Sequence, residues 1–131
     1  MNKIYLLSCI FISLFFLTGC TEQHPNQTSS YVIFKASDPN VKIIQLTAKN
    51  FQFEPSIIEV KKGDKVRIIA KSIEGNHGLH LDSNDLAVEL PLNEERIIDF
   101  VAEKPGVYEF HCSTPCGSGH RGMKGKLIVN E

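Results

Sequence analysis

Cys112, Cys116, His120 and Met123 fall within twelve residues of a 131-residue chain, in the spacing C-x3-C-x3-H-x2-M. Two thiols, an imidazole and a thioether are soft or borderline donors. Such sets select copper, zinc or iron-sulfur chemistry, whereas the carboxylates that suit magnesium, calcium or manganese are absent from the stretch. Met123 narrows the choice, because a thioether is a poor zinc ligand and a common weak ligand for copper. Copper is therefore the expected metal. Pro115, Gly117, Gly119 and Gly122 oppose a helix here and predict a tight loop that turns its side chains toward one point.

The plainer alternative is a disulfide between Cys112 and Cys116, with His120 exposed and Met123 filling a gap in the core. It leaves the spacing of His120 and Met123 as coincidence, and the metal reading is preferred. Further donors must come from another segment, and Asn76 to Leu81 holds the two candidates, His77 and His80. In an extended chain His77 shares a face with Leu79 and Leu81, while His80 takes the opposite one. His77 is thus the inward candidate and His80 a surface residue. By the same alternation Cys112 follows Tyr108 and Phe110 inward, and His111 points out with Glu109.

The elements that must carry these residues read as strands. Val66, Ile68 and Ala70 alternate with Lys65, Arg67 and Lys71, the period of a strand with one wet face. Apolar runs around Ile43 to Leu46, Ile57 to Val60, Ala87 to Leu90, Ile97 to Val101, Val107 to Cys112 and Leu127 to Val129 continue the pattern, with Lys62-Gly63-Asp64 as a turn. About seven or eight short strands predict an all-β sandwich. No helical run of comparable length is expected.

Upstream, Lys3 precedes the apolar run Ile4 to Leu17 and then Thr18-Gly19-Cys20. That is the plan of a secretory signal and too short for a membrane span of about 20 apolar residues. The ending Leu17-Thr18-Gly19-Cys20 resembles the lipobox of bacterial lipoproteins, which implies a signal peptide over 1–19, lipidation of Cys20 and an extracytoplasmic protein anchored to a bacterial membrane by lipid. Cys9 leaves with the signal and Cys20 carries lipid, so Cys112 and Cys116 are the two thiols left over. Polar residues and prolines over 20–40 predict a tether, in which His24 is a surface histidine, and 41–131 is the expected domain. The formal charge of -1 gives no basic face for nucleic acid.

Taken together, the motif Cys112-x3-Cys116-x3-His120-x2-Met123, the pair His77-Gly78 and the strand Val107 to Cys112 resemble the CuA domain, the dicopper cupredoxin of cytochrome c oxidase subunit II and nitrous oxide reductase. The resemblance runs from about Val41 to the end. It implies a Greek-key cupredoxin sandwich with two copper ions bridged by the Cys112 and Cys116 thiolates. His77 and His120 would each bind one ion, and Met123 and the Thr114 carbonyl would complete the set. It also implies one-electron transfer with a cytochrome, oxidase or reductase as partner, and no small-molecule substrate. An enzyme would need an open coordination position, and six ligands on two metals leave none.

Two other functions compete with the relay. A copper carrier or assembly factor could use the same donors, and a mononuclear cupredoxin would need one Cys followed shortly by His, where this chain has Pro115 and then Cys116. Three departures from the family stand out. Glu74 occupies a position where relatives often have Asp, no Trp is present for docking of cytochrome c, and neither a membrane helix pair nor a catalytic domain is seen. Arg121, Lys124 and Lys126 predict a locally basic rim over the site.

Overall fold

In the computed structural model the described residues are 33–131. The signal peptide, Cys20, His24 and most of the tether lie outside them. The described chain is built from nine strands: β1 (Val41–Lys49), β2 (Gln52–Glu54), β3 (Ile57–Lys61), β4 (Lys65–Ser72), β5 (His77–Leu81), β6 (Leu86–Leu90), β7 (Glu95–Val101), β8 (Gly106–His111) and β9 (Lys124–Asn130). One sheet has the order β2-β1-β4-β7 and the other β3-β9-β8-β5-β6. The sandwich is as expected. The strand beyond the expected seven or eight includes β2, whose three residues are too few to show a period. His120–Gly122 adds one 3-10 turn inside the loop that had been expected to lack helix.

The layers follow from alternation. In β4, Val66, Ile68, Ala70 and Ser72 are buried while Lys65 is exposed and Arg67, Ile69 and Lys71 are half-buried. Opposite them, Phe110 is fully buried and meets Phe53 edge to face, with centroids 5.5 Å apart at 68°. Gly125 on β9 pairs with Phe110 in register. A Cβ there would run into the Phe110 ring and come within 2.7 Å of the Ser56 carbonyl, so this position must be glycine.

Alternation breaks in β7, where Ile98, Asp99 and Phe100 are all buried. Asp99 lies on the outer face of its sheet and is covered by the segment that precedes β1. Its carboxylate accepts from Arg67 Nε at 2.7 Å, from an Arg67 terminal nitrogen at 2.6 Å and from the Phe34 backbone N–H at 2.9 Å, while Arg67 also donates to the Phe34 carbonyl at 2.7 Å. Phe34 is buried beneath this clasp, with Lys65 Nζ 5.7 Å from its ring centroid. Phe34, which precedes Val41, thus packs against the outer face of β7.

The clasp has a consequence for acid stability. The Arg67 hydrogen bonds hold the Asp99 carboxyl below its ordinary value, outweighing the desolvation that raises it, with the Phe34 N–H adding to the effect. A carboxylate with a depressed folded-state pKa stabilises the fold above its unfolded value, about 3.9, and that contribution is lost as pH falls through the folded value. Asp99→Asn is expected to be less stable than wild type at pH 7 and to lack the acid-dependent component. Urea titrations from pH 7 to pH 2 check this; parallel profiles for the two proteins would show that the clasp is not coupled to folding.

Candidate metal centre

Two pieces of chain meet at one end of the sandwich. β8 ends at His111, so Cys112 begins the loop, and β9 starts directly after Met123. The Cys112 N–H donates to the Met123 carbonyl at 3.0 Å, which ties together the first and last residues of the motif. Inside the loop, His120 N–H donates to the Gly117 carbonyl and Gly122 N–H to that of Gly119, at 3.1 and 3.0 Å. Gly117 has φ +133°, and Cβ atoms at Gly117 or Gly119 would press into the Phe51 ring. The glycines thus let the loop lie flat on Phe51.

β5 supplies the other side. His77 is buried at 1% exposure, and its Nε2 stands 2.7 Å from the Glu74 carbonyl oxygen. A carbonyl only accepts, so Nε2 carries the proton and the Nδ1 lone pair is left facing Cys112 Sγ at 3.8 Å. This is the outer hydrogen bond that fixes tautomer and ring orientation in metal-binding histidines. Glu74 acts through its backbone, while its carboxylate accepts from the Asn50 N–H at 3.1 Å. A backbone role leaves no trace in the residue type, which is why the sequence showed only a departure there.

The sulfurs sit between the two imidazoles. Cys112 Sγ and Cys116 Sγ are 3.5 Å apart and both cysteines are free, so the disulfide alternative is not what the structure shows. His120 Nδ1 is 3.6 Å from Cys116 Sγ, Met123 Sδ is 4.0 Å from the same sulfur, and the Thr114 carbonyl is 3.1 Å from Cys112 Sγ. All six expected residues converge. Ligands on one ion with bonds of about 2.0 Å to nitrogen and 2.3 Å to sulfur lie about 3.6 Å apart in a tetrahedron, close to the His–Cys separations at both ends. Among the described residues, His77, Cys112 and Cys116 hold their donor atoms within 4.8 Å of one another; His120 falls outside that group and pairs with the far sulfur.

Burial and the neighbouring Cys112 sulfur push the Cys116 thiol up to about 11. At neutral pH the metal-free thiol keeps its proton, and a metal taking both sulfurs must displace it. The donor set, its orientation and its burial fit a soft metal.

The other histidines separate as the strand faces predict. His80 is half-buried on the outer face; His111 is also half-buried and stacks on His80, with centroids 4.9 Å apart, where simple exposure had been expected. The basic rim needs correction. Lys124 Nζ is 3.1 Å from both Glu109 carboxylate oxygens, and Asp82 stands near His111, so the β8 side of the rim is mixed in charge. Arg121 and Lys126 remain exposed.

Gly78 was legible as part of a motif, and the fold gives it a reason. A Cβ there would lie 2.6 Å from Thr114 Oγ1, 3.0 Å from Thr114 N and against Ser113 Oγ. Gly78→Val is expected to displace residues 113–114 and weaken metal binding about 10–100-fold, as lost support around ligands does, while the sandwich still melts cooperatively. Metal competition alongside a thermal melt checks it; unaltered affinity would remove Gly78 from the site's support.

The fold and the paired cysteine-histidine ends define a cupredoxin, and residues 8–129 match the family model for the cupredoxin-like domain, to which the chain belongs. More particularly, the chain is 30% identical over 93 residues to cytochrome c oxidase subunit 2 of Thermus thermophilus, covering 71% of this chain and 69% of that one. It is 28% identical over 96 residues to nitrous-oxide reductase of Stutzerimonas stutzeri, covering 70% of this chain and 15% of the reductase. Among solved structures, one of a heme-copper terminal oxidase dimer aligns with TM-score 0.63 and 26% identity over 76% of this chain and 78% of that chain. These matches bear out the resemblance drawn from the motif.

Proposed function

We propose that the protein is a one-electron relay whose resident cofactor is a dinuclear copper centre of the CuA type, held by His77, Cys112, Thr114, Cys116, His120 and Met123. The observation that carries this is the pairing of one imidazole with each sulfur across a 3.5 Å sulfur pair, a layout that suits one ion at each end. Bound there, a copper centre would supply one-electron redox chemistry, with the Cys112 and Cys116 thiolates offsetting most of its positive charge. The chain's residues hold the donors still. β5 and β8 fix His77 and Cys112, the Cys112–Met123 hydrogen bond closes the loop, and burial of Met123 and Cys112 excludes water. Rigid ligands limit the rearrangement that accompanies each electron.

The same features argue against a copper carrier, which must release its metal and favours few, exchangeable ligands. A lipid anchor at Cys20, with 1–19 removed, would hold the domain on the extracytoplasmic side of a membrane. Among the described residues no helix is long and apolar enough to cross one. A cytochrome, oxidase or reductase is the expected partner. His77→Ala is expected to lose copper and His80→Ala to keep it; the reverse result would contradict the assignment of faces in β5.

The relay is tested by mixing reduced, copper-loaded protein with oxidised redox proteins and, separately, with metal-free copper acceptors. Rapid electron exchange with copper retained supports the relay. Transfer of copper without stable redox cycling would establish a carrier instead.

A further inference from the structure

A second group of metal-type donors lies on the outer face of the five-stranded sheet, outside the sulfur site. His80 of β5 and His111 of β8 are cross-strand partners with stacked rings. Beyond β5, Asp82 and Asp85 stand over them. One Asp82 carboxylate oxygen is 3.6 Å from His80 Nε2 and 3.6 Å from His111 Nδ1, and an Asp85 oxygen is 3.6 Å from the same His80 nitrogen. These separations are too long for hydrogen bonds. They are close to the spacing of two ligands on one tetrahedral ion, about 3.4 Å for bonds of 2.0–2.1 Å.

A further observation points the same way. His111 Nδ1 is buried and has no hydrogen-bond partner, an uncommon state for a nitrogen that folded proteins normally satisfy. Glu109 is 3.9 Å from it, but the Glu109 oxygens are engaged by Lys124, which leaves Asp82 as the available carboxylate. The donor atoms of this cluster do not all lie within 4.8 Å of one another, so the two imidazoles and Asp85 must close around Asp82 when the ion binds. Asp82 is its shared vertex, and the Asp85 side chain, 95% exposed, is free to turn toward His80.

We propose that His80, His111 and Asp82, with Asp85 as fourth ligand, bind one divalent ion of borderline softness, of the Zn2+ class. Imidazole with carboxylate suits such ions, whereas magnesium and calcium take oxygen ligands throughout. The site contains neither sulfur, so it stands apart from the copper reading. Histidines 80 and 111, which the sulfur site leaves unused, thereby acquire a task.

The test uses Zn2+ itself. Copper-loaded protein, its thiolates engaged, is dialysed against Zn2+ with a competing chelator and its metals are counted. One zinc per chain is expected, with affinity at least tenfold weaker in His80→Ala and in Asp82→Ala at unchanged copper content and melting temperature. Equal zinc binding by wild type and both variants, or no zinc taken up by wild type, overturns the proposal. Should the chain not load copper, the Cys112→Ser/Cys116→Ser double variant carries the same measurement, provided its thermal melt is cooperative. Co2+ in place of Zn2+ gives an independent readout: a spectrum without thiolate charge transfer supports the site, and a thiolate band places the ion on the cysteines and overturns it.

Discussion

Cys116→Ser is expected to abolish the proposed dinuclear centre, leaving at most one copper per chain and no spectrum of a shared electron. The Cys116 sulfur is the neighbour of three other donors, lying 3.5 Å from Cys112 Sγ, 3.6 Å from His120 Nδ1 and 4.0 Å from Met123 Sδ. Replacing it with a hydroxyl removes the soft anionic donor, because serine is a neutral hydroxyl near pH 7. His120 and Met123 would then lose the sulfur they face. Met123→Leu is the graded comparison, expected to keep both coppers and change the potential, because a thioether is the weakest donor of the set. Copper analysis and optical spectra of the two variants check the ranking; a Cys116→Ser protein retaining two coppers would refute the bridging role.

The largest expected effect on stability belongs to Phe110→Ala. Phe110 is fully buried, sits edge to face on Phe53 and covers Gly125, so its removal opens a cavity between the sheets that glycine cannot fill. Such truncations cost about 3–5 kcal/mol. Against a total of about 5–15 kcal/mol for a domain, that consumes much of the margin. Phe110 also lies two residues before Cys112 on the strand that feeds the loop, so copper retention is expected to fall with the folded fraction. Chemical denaturation of the metal-free variant measures the loss; a change under 1 kcal/mol would mean that the sheets close over the gap.

Much of the site was legible because its chemistry resides in side-chain types. Cysteine, histidine and methionine at fixed intervals name their donors, and strand alternation was enough to turn His77 and Cys112 inward and His80 out. What escaped depended on backbone and on distance. The Glu74 carbonyl orients His77, yet any residue has a carbonyl. Gly78 and Gly125 matter through what lies opposite them, Thr114 in one case and Phe110 in the other, and neither neighbour is near in sequence.

The fold shows the same division. β4 announced itself by strict alternation, whereas β2 is too short and β7 hides Asp99 where a polar residue signals water. Phe34 lies 65 residues from the aspartate that captures its N–H, so its partner could not be read from local composition. The basic rim failed for a related reason. Lys124 is locally one of three cations, but its partner Glu109 comes from the neighbouring strand.

The most direct test of the central claim is to count copper in the loaded protein and record its paramagnetic resonance spectrum. Two coppers per chain, with hyperfine structure from one unpaired electron shared equally by two nuclei, is the predicted result. One copper per chain, or hyperfine structure from a single nucleus, would contradict the dinuclear centre.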